Sequence, residues 1–121
     1  MTRTQSETQL SKSIRDALES MGVWVERLQS GKIKLRHGWL HCCSPGTPDM
    51  LCLWPTVAFL EIKLPGRKLS QEQADWHRRA RTAGLEVHRV ESVEEAMEHA
   101  KRWLSERVEI PWWDHLGLGG Q

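Results

Sequence analysis

Apolar residues recur at helical spacing in three segments of the chain and at strand spacing between them. The spacing predicts a first helix over residues 5–21, a second from Ser70 to about Ala83, and a third that opens at Ser92. Gly22 and Gly84 follow the first two helices as stop signals. The residues predicted to face the core are Leu10, Ile14, Ala17, Leu18 and Met21 in the first helix and Ala96, Met97, Ala100, Trp103 and Leu104 in the third.

Runs typical of strands fill the intervals between these helices. Residues 23–28 and 33–36 are predicted to pair across a turn at Ser30-Gly31, and residues 37–48 are predicted to be a loop. Residues 50–53 and 57–64 flank Trp54-Pro55-Thr56 and predict a hairpin, and residues 86–90 predict a short strand. This order predicts an α/β fold, a small mixed β-sheet flanked by helices.

Two charged residues interrupt the apolar run at 57–64. Because strand side chains alternate between faces, Glu61 and Lys63 share one face with Phe59. Burial of a carboxylate and an ammonium costs desolvation free energy unless the groups pair or meet a cation. This strand therefore predicts either an exposed edge or a functional site.

Asp49 stands at the start of the predicted hairpin. A turn at Pro55-Thr56 places Asp49 opposite Ile62, and a slip of one residue places it opposite Glu61 or Lys63. Directly opposed residues lie about 5 Å apart at Cβ, and two carboxylates that close repel each other unless a divalent cation lies between them. Mg²⁺ suits such a site, because it takes oxygen ligands and needs only one or two protein carboxylates.

Each of these residues also has a structural interpretation. Asp49 could cap a turn after proline, and Glu61 with Lys63 could form an exposed edge-strand pair. The three together, brought close by one hairpin, favour a site. Glu7 and Gln73 are further candidates for the site, and each also has a structural interpretation. Glu7 could belong to a capping box with Thr4, and Gln73 to one with Ser70.

Composition limits the classes of partner. At 121 residues the chain forms one domain, and its net charge of +1 argues against a strongly basic surface for unspecific nucleic-acid binding. No apolar run approaches the roughly 20 residues of a membrane span, and the N-terminus has no signal-peptide core. Three cysteines, an odd number, fit reduced thiols, so we expect a cytoplasmic protein without membrane contact.

Two further clusters suggest ligands. A zinc site could be drawn from His37, His41, Cys42, Cys43 and Cys52, but the two separated ligand pairs of a structural site are missing, which favours loop residues and a buried thiol at Cys52. Basic residues that could contact phosphates, or form a solvated face, are Lys32, Lys34, Arg36, Arg67, Lys68, Arg78, Arg79 and Arg81.

The combination of Gly46-Thr47-Pro48-Asp49, Glu61-Ile62-Lys63 and the segment 69–73 that ends in Gln73 resembles the PD-(D/E)xK nuclease superfamily. More narrowly, the chain resembles the virus-type replication-repair nuclease (VRR-NUC) domain from Glu7 to about Leu104. The resemblance implies a restriction-endonuclease-like core in residues 1–107. The tail 108–121 lies outside the pattern and could be docked or at a dimer interface.

The resemblance also implies roles for individual residues. Asp49, Glu61 and the main-chain carbonyl of Ile62 would bind Mg²⁺ or Mn²⁺, and Glu7 would complete the acidic cluster, through water if not directly. Lys63 would orient or deprotonate the attacking water. Gln73 would support the site or the DNA.

The expected activity is metal-dependent hydrolysis of phosphodiester bonds in DNA. Branched DNA such as four-way (Holliday) junctions is the expected substrate, cut by a homodimer that is encoded by a bacterium or a phage and acts in the host cell. A restriction-like or flap-type nuclease and a catalytically silent DNA-binding module are the alternatives. Asp49, Glu61 and Lys63 are all present, which argues against the silent module.

Overall fold

The computed structural model describes residues 5–28, 32–41 and 43–106, and for the strands at 32–35 and 38–41 it describes the main chain alone. This part of the chain contains three helices and six strands. The helices are α1 (Glu7–Ser20), α2 (Gln71–Thr82) and α3 (Val93–Glu106). The strands are β1 (Trp24–Arg27), β2 (Lys32–Leu35), β3 (Gly38–His41), β4 (Met50–Trp54), β5 (Ala58–Ile62) and β6 (Glu86–Val90).

The main sheet is mixed and has the strand order β1-β4-β5-β6. β4 pairs antiparallel with both β1 and β5, whereas β5 and β6 run parallel and are connected through α2. A parallel pair needs such a crossover, since its second strand must start again at the same end of the sheet. The predicted α/β class with a small mixed sheet is confirmed.

The predicted pairing of the first two strands is wrong. β1 pairs with β4, and β2 forms a separate hairpin with β3, a segment that was predicted to be loop. Leu35 lies opposite Gly38, so the hairpin turns on Arg36 and His37. These two residues carry none of the Asn-Gly or Asp-Gly preference that identifies tight hairpin turns in a sequence.

The helices cover both faces of the main sheet. α1 and α3 enclose a core that includes Leu10, Ile14, Leu18, Ala96, Ala100 and Trp103 from the helices and Ala58, Leu60 and Ile62 from β5. α2 covers the opposite face, where the Trp76 ring meets the Phe59 ring edge-on at 4.9 Å. Glu61 alternates with Leu60 and Ile62, so it points toward α2 and is buried there.

Capping boxes begin the first two helices. The box at α2, formed by Ser70 and Gln73, was predicted. At α1 the structure corrects the prediction, because Ser6 and Gln9 form the box, and Glu7 is the first helical residue. Thr4 lies outside the described residues. Glu7 is therefore not needed as a capping side chain.

The predicted buried thiol at Cys52 is confirmed. Its side chain is buried in β4, and this burial, together with the charge of Glu86, raises the pKa of the thiol to about 12. A thiol with that pKa stays protonated at neutral pH and does not provide a thiolate ligand. Within the three described ranges, no helix is long and apolar enough to cross a membrane.

Candidate active site

The β4–β5 hairpin brings Asp49 beside Glu61. Met50 pairs with Leu60, and continuing this register by one residue sets Asp49 alongside Glu61. The register with a turn at Pro55-Thr56 is therefore wrong, and the register slipped by one residue is confirmed. The Asp49 Oδ2 atom accepts a hydrogen bond from the Ile62 main-chain N–H at 2.8 Å, which fixes the carboxylate at the end of β5.

The loop before Asp49 is held on both sides. The Thr47 hydroxyl donates to the Ser44 carbonyl at 2.7 Å, and Pro48 is fully buried. Gly46 has φ +91° and packs so closely against the start of α2 that a Cβ atom would collide with the Glu72 carbonyl. The loop that carries Asp49 thus rests directly on the main chain of α2.

We expect Gly46→Ala to lower the free energy of unfolding by about 2 kcal/mol or more, since it adds a main-chain clash to an unfavourable φ. Gly22→Ala is the matched control, with φ +89° but open space around its Cβ, and should cost about 1 kcal/mol. Urea unfolding measures both. Equal losses for the two variants would contradict the close packing of this loop on α2.

Glu61 is the most deeply buried carboxyl group in this region, with 1 % of its surface exposed. Burial, a hydrogen bond with the Asp49 carboxyl and the negative charges of Asp49 and Glu7 together raise the pKa of Glu61 to about 9, against an opposing effect of Lys63. The Glu61 carboxyl therefore holds a proton at neutral pH when no cation is bound.

His77 lies on helix α2 and faces Glu61. It is 1 % exposed, and its Nε2 atom is 3.6 Å from the Glu61 Oε1 atom. Neither ring nitrogen of His77 hydrogen-bonds with another described residue, and neither does Glu61 Oε1. Burial, with a smaller effect of the Arg81 charge, lowers the pKa of His77, so the ring is neutral.

A cleft of about 180 Å³ opens beside Asp49. Its lining residues are Glu7, Thr8, Ser11, Arg27, Leu28, Asp49 and Ile62. A neighbouring cavity of about 170 Å³ shares Thr8, Ser11 and Arg27 with it and adds Lys12 and Arg15. Carboxylates thus lie at one end of a groove between α1 and β1, and cationic side chains lie at the other.

The other predicted site residues occupy different positions. Lys63 follows β5 directly, and its main-chain N–H donates to the Val90 carbonyl at 3.0 Å. Gln73 uses Oε1 to accept from the Ser70 main-chain N–H at 2.8 Å in the capping box. The structural interpretation of Gln73 is therefore observed, and a further role near the site remains a prediction.

The predicted basic residues are dispersed. Arg78 pairs with Asp75 at 2.6 Å, Arg81 donates to the Val87 carbonyl at 3.2 Å, and the Arg67 carbonyl accepts from Arg89 at 2.6 Å. Arg36, Lys68 and Arg79 are exposed, and the side chains of Lys32 and Lys34 lie outside the described part. The described members of this set do not line the Asp49 cleft, whereas Arg27 does.

The Asp49–Glu61 pair fits a divalent cation. Two carboxyl groups lie side by side, and one of them is buried. A hard cation such as Mg²⁺ favours oxygen ligands of this type. Glu7 lines the same cleft, but the ligand atoms of Glu7, Asp49 and Glu61 do not all lie within 4.8 Å of one another, and a contact of Glu7 with the ion through water stays a prediction.

Among the described residues one other group could hold a metal ion, formed by Glu86, His88 and His99, with ligand atoms within 4.8 Å of one another. A cationic side chain, Arg102, already lies at this group. Arg102 Nη2 lies 2.8 Å from Glu86 Oε2 and 3.2 Å from His99 Nδ1, and the two imidazole rings stack at 3.9 Å. Parallel stacked rings cannot both aim a lone pair at one ion, so this cluster is an ion-pair network that joins β6 to α3.

Comparison with known proteins supports the fold. A solved structure described as a VRR_NUC domain matches this chain with a TM-score of 0.56 and 20% sequence identity, over 87% of this chain and 100% of that structure. No family model and no curated protein matches the sequence. The chain therefore has the fold of this VRR_NUC domain structure, as the sequence motifs predicted.

Two residues near the site were not among the predicted set. In the sequence, Arg27 is one residue of the short strand predicted at residues 23–28. Its position beside Asp49 follows from the pairing of β1 with β4, which the sequence did not predict. His77 follows Gln73 by four residues in the predicted second helix. Its spacing of one helical turn from Gln73 was the available signal, since α2 presents one face to β5.

Proposed function

We propose that this protein is a Mg²⁺- or Mn²⁺-dependent DNA endonuclease whose active site is built on Asp49 and Glu61. The observation that carries the proposal is the buried Glu61 carboxyl, held beside Asp49, which itself lines a cleft. Burying the Glu61 carboxyl group does not stabilise the fold, because desolvating a carboxyl group costs free energy, so its burial favours a functional role. The similarity in fold to a VRR_NUC domain also supports the proposal, because the name of that domain denotes a nuclease.

The residues divide the chemistry between them. Asp49 and Glu61, with the Ile62 carbonyl, would hold the ion, which supplies Lewis acidity to polarise the scissile phosphate and activate the attacking water. Lys63 lies directly after β5, two residues beyond Glu61, and would orient that water or accept its proton. Glu7 at the rim of the cleft would hold water in the outer coordination sphere.

DNA would approach along the groove between α1 and β1. Arg27, with Arg15 farther along, can neutralise phosphates on either side of the scissile bond. Contacts of this kind fix the position of the backbone and do not read sequence. Shape-selective cleavage of branched DNA, four-way junctions included, is consistent with such a groove, and paired incisions would require a two-fold symmetric homodimer.

The test is cleavage of end-labelled four-way junctions, flaps and linear duplexes with Mg²⁺, Mn²⁺ or EDTA. We expect metal-dependent cleavage that EDTA abolishes, with the junction cut fastest by a dimer. Preferential cutting of flaps or linear duplex would favour the alternative nuclease classes. Binding of all three DNAs without cleavage under either metal would favour the silent module, and cleavage that persists in EDTA would contradict the metal mechanism.

A further inference from the structure

The side chains of His77 and Glu61 are both buried and face each other without a hydrogen bond. The His77 ring is 1 % exposed, and Glu61 is equally buried. Nε2 of His77 and Oε1 of Glu61 are separated by 3.6 Å, slightly beyond hydrogen-bonding distance, and neither atom has another partner among the described residues. Buried polar atoms without partners are rare in native proteins and are often connected to function.

The geometry gives Glu61 Oε1 one facing donor, since His77 Nε2 is the ring nitrogen 3.6 Å from it. As a ligand to a divalent cation, Glu61 would be a carboxylate. An anionic Oε1 is a strong acceptor, and hydrogen bonds to ionised groups are shorter and stronger than neutral ones.

We propose that His77 is a positioning residue for Glu61: its Nε2–H donates to Oε1 of the cation-bound carboxylate and fixes the orientation of that ligand. The inference rests on the proposed metal-dependent function. Carboxylate ligands are commonly held by hydrogen bonds from groups behind them, and loss of such a group weakens metal binding about 10- to 100-fold. His77 lies on α2, so the same contact ties that helix to the ligand strand.

The position of the donor distinguishes positioning from packing. Gln places an amide nitrogen at the same number of bonds from Cα as the His Nε2 atom, whereas Asn places its nitrogen at the Nδ1 position, away from Glu61. Leu keeps similar bulk without a donor. His77→Gln should therefore retain the contact, and His77→Asn and His77→Leu should lose it.

The experiment measures Mn²⁺ affinity of the full chain by electron paramagnetic resonance, together with urea unfolding in EDTA. We expect His77→Leu and His77→Asn to bind Mn²⁺ about 10-fold more weakly or worse, and His77→Gln to stay within about threefold of wild type. In EDTA, His77→Leu should be as stable as wild type or more so, because it removes two unsatisfied buried nitrogens.

A purely structural role for His77 gives the opposite pattern. His77→Leu would then lose stability in EDTA, and all three variants would bind Mn²⁺ as wild type does once folded. That result overturns the positioning role while leaving the nuclease proposal intact. If wild type binds no Mn²⁺ and cleaves no DNA, both proposals fail. Should His77→Leu not fold, the comparison of His77→Asn with His77→Gln decides the question.

Discussion

Asp49→Asn is expected to slow DNA cleavage about 1,000-fold or more while leaving the fold intact. The substitution removes the negative charge that would hold the cation. It keeps an oxygen that can accept the 2.8 Å hydrogen bond from the Ile62 N–H, so the end of β5 stays in place. Single-turnover cleavage of a labelled junction with saturating Mg²⁺ measures the loss, and urea unfolding confirms that the variant is folded.

Asp49→Ala provides the comparison. It should be as inactive as Asp49→Asn, and it should also lose about 1 kcal/mol of stability, because the buried Ile62 N–H is left without its acceptor. Rates for Asp49→Asn within about tenfold of wild type would remove Asp49 from the metal site. The two variants together separate the charge of Asp49 from its structural hydrogen bond.

Glu61→Gln is expected to abolish cleavage and, in metal-free protein, to raise the free energy of unfolding by about 2 kcal/mol or more at pH 8. The stabilisation arises because Gln needs no proton to remain buried. The pKa of Glu61 is raised from 4.5 to about 9 in the folded protein, chiefly by burial and by Asp49. A functional carboxyl group that destabilises its own fold is typical of active sites.

The sign of the pH dependence follows from this raised pKa. Between pH 4.5 and about pH 9 the unfolded chain has released the Glu61 proton and the folded chain has kept it. The folded state therefore binds more protons, and wild-type stability falls as the pH rises through this window. Glu61→Gln lacks this linkage, so its advantage over wild type should be small at pH 5 and grow toward pH 8.

Urea unfolding in EDTA at pH 5 and pH 8 tests this expectation. Glu98→Gln is the control, since Glu98 is exposed and its ion pair with Lys101 is also exposed, and it should stay within about 0.5 kcal/mol of wild type at both pH values. Added Mg²⁺ should stabilise wild type at pH 8 and have little effect on Glu61→Gln. A Glu61→Gln variant that is less stable than wild type at pH 8 in EDTA would contradict the buried, protonated state.

Most helices and strands of the fold could be predicted from local sequence patterns. The helix periods, the capping box at Ser70 and the strand at β6 all depend on neighbours within a few residues, and each was predicted from the sequence. The hairpin that joins Asp49 to Glu61 is also local. Its register was left open by one residue, because the choice depends on packing of Met50, Leu60 and Ile62 in a core formed by distant segments.

The same local patterns could not predict which distant strands pair. β1 pairs with β4 rather than with β2, the next strand in the sequence, and this pairing places Arg27 in the cleft. The contact between His77 and Glu61 needs the crossover that lays α2 over β5. Such contacts are set by tertiary packing, which a single sequence does not encode in any short window.

A Mn²⁺ titration of wild type and Asp49→Asn, with bound ion and junction cleavage recorded on the same samples, tests most directly whether a divalent cation at Asp49 and Glu61 drives DNA cleavage. We expect cleavage by wild type to rise in step with Mn²⁺ binding, and Asp49→Asn to lose both, with affinity at least about 10-fold weaker. Unchanged Mn²⁺ affinity in Asp49→Asn, or wild-type cleavage in EDTA, would contradict this expectation.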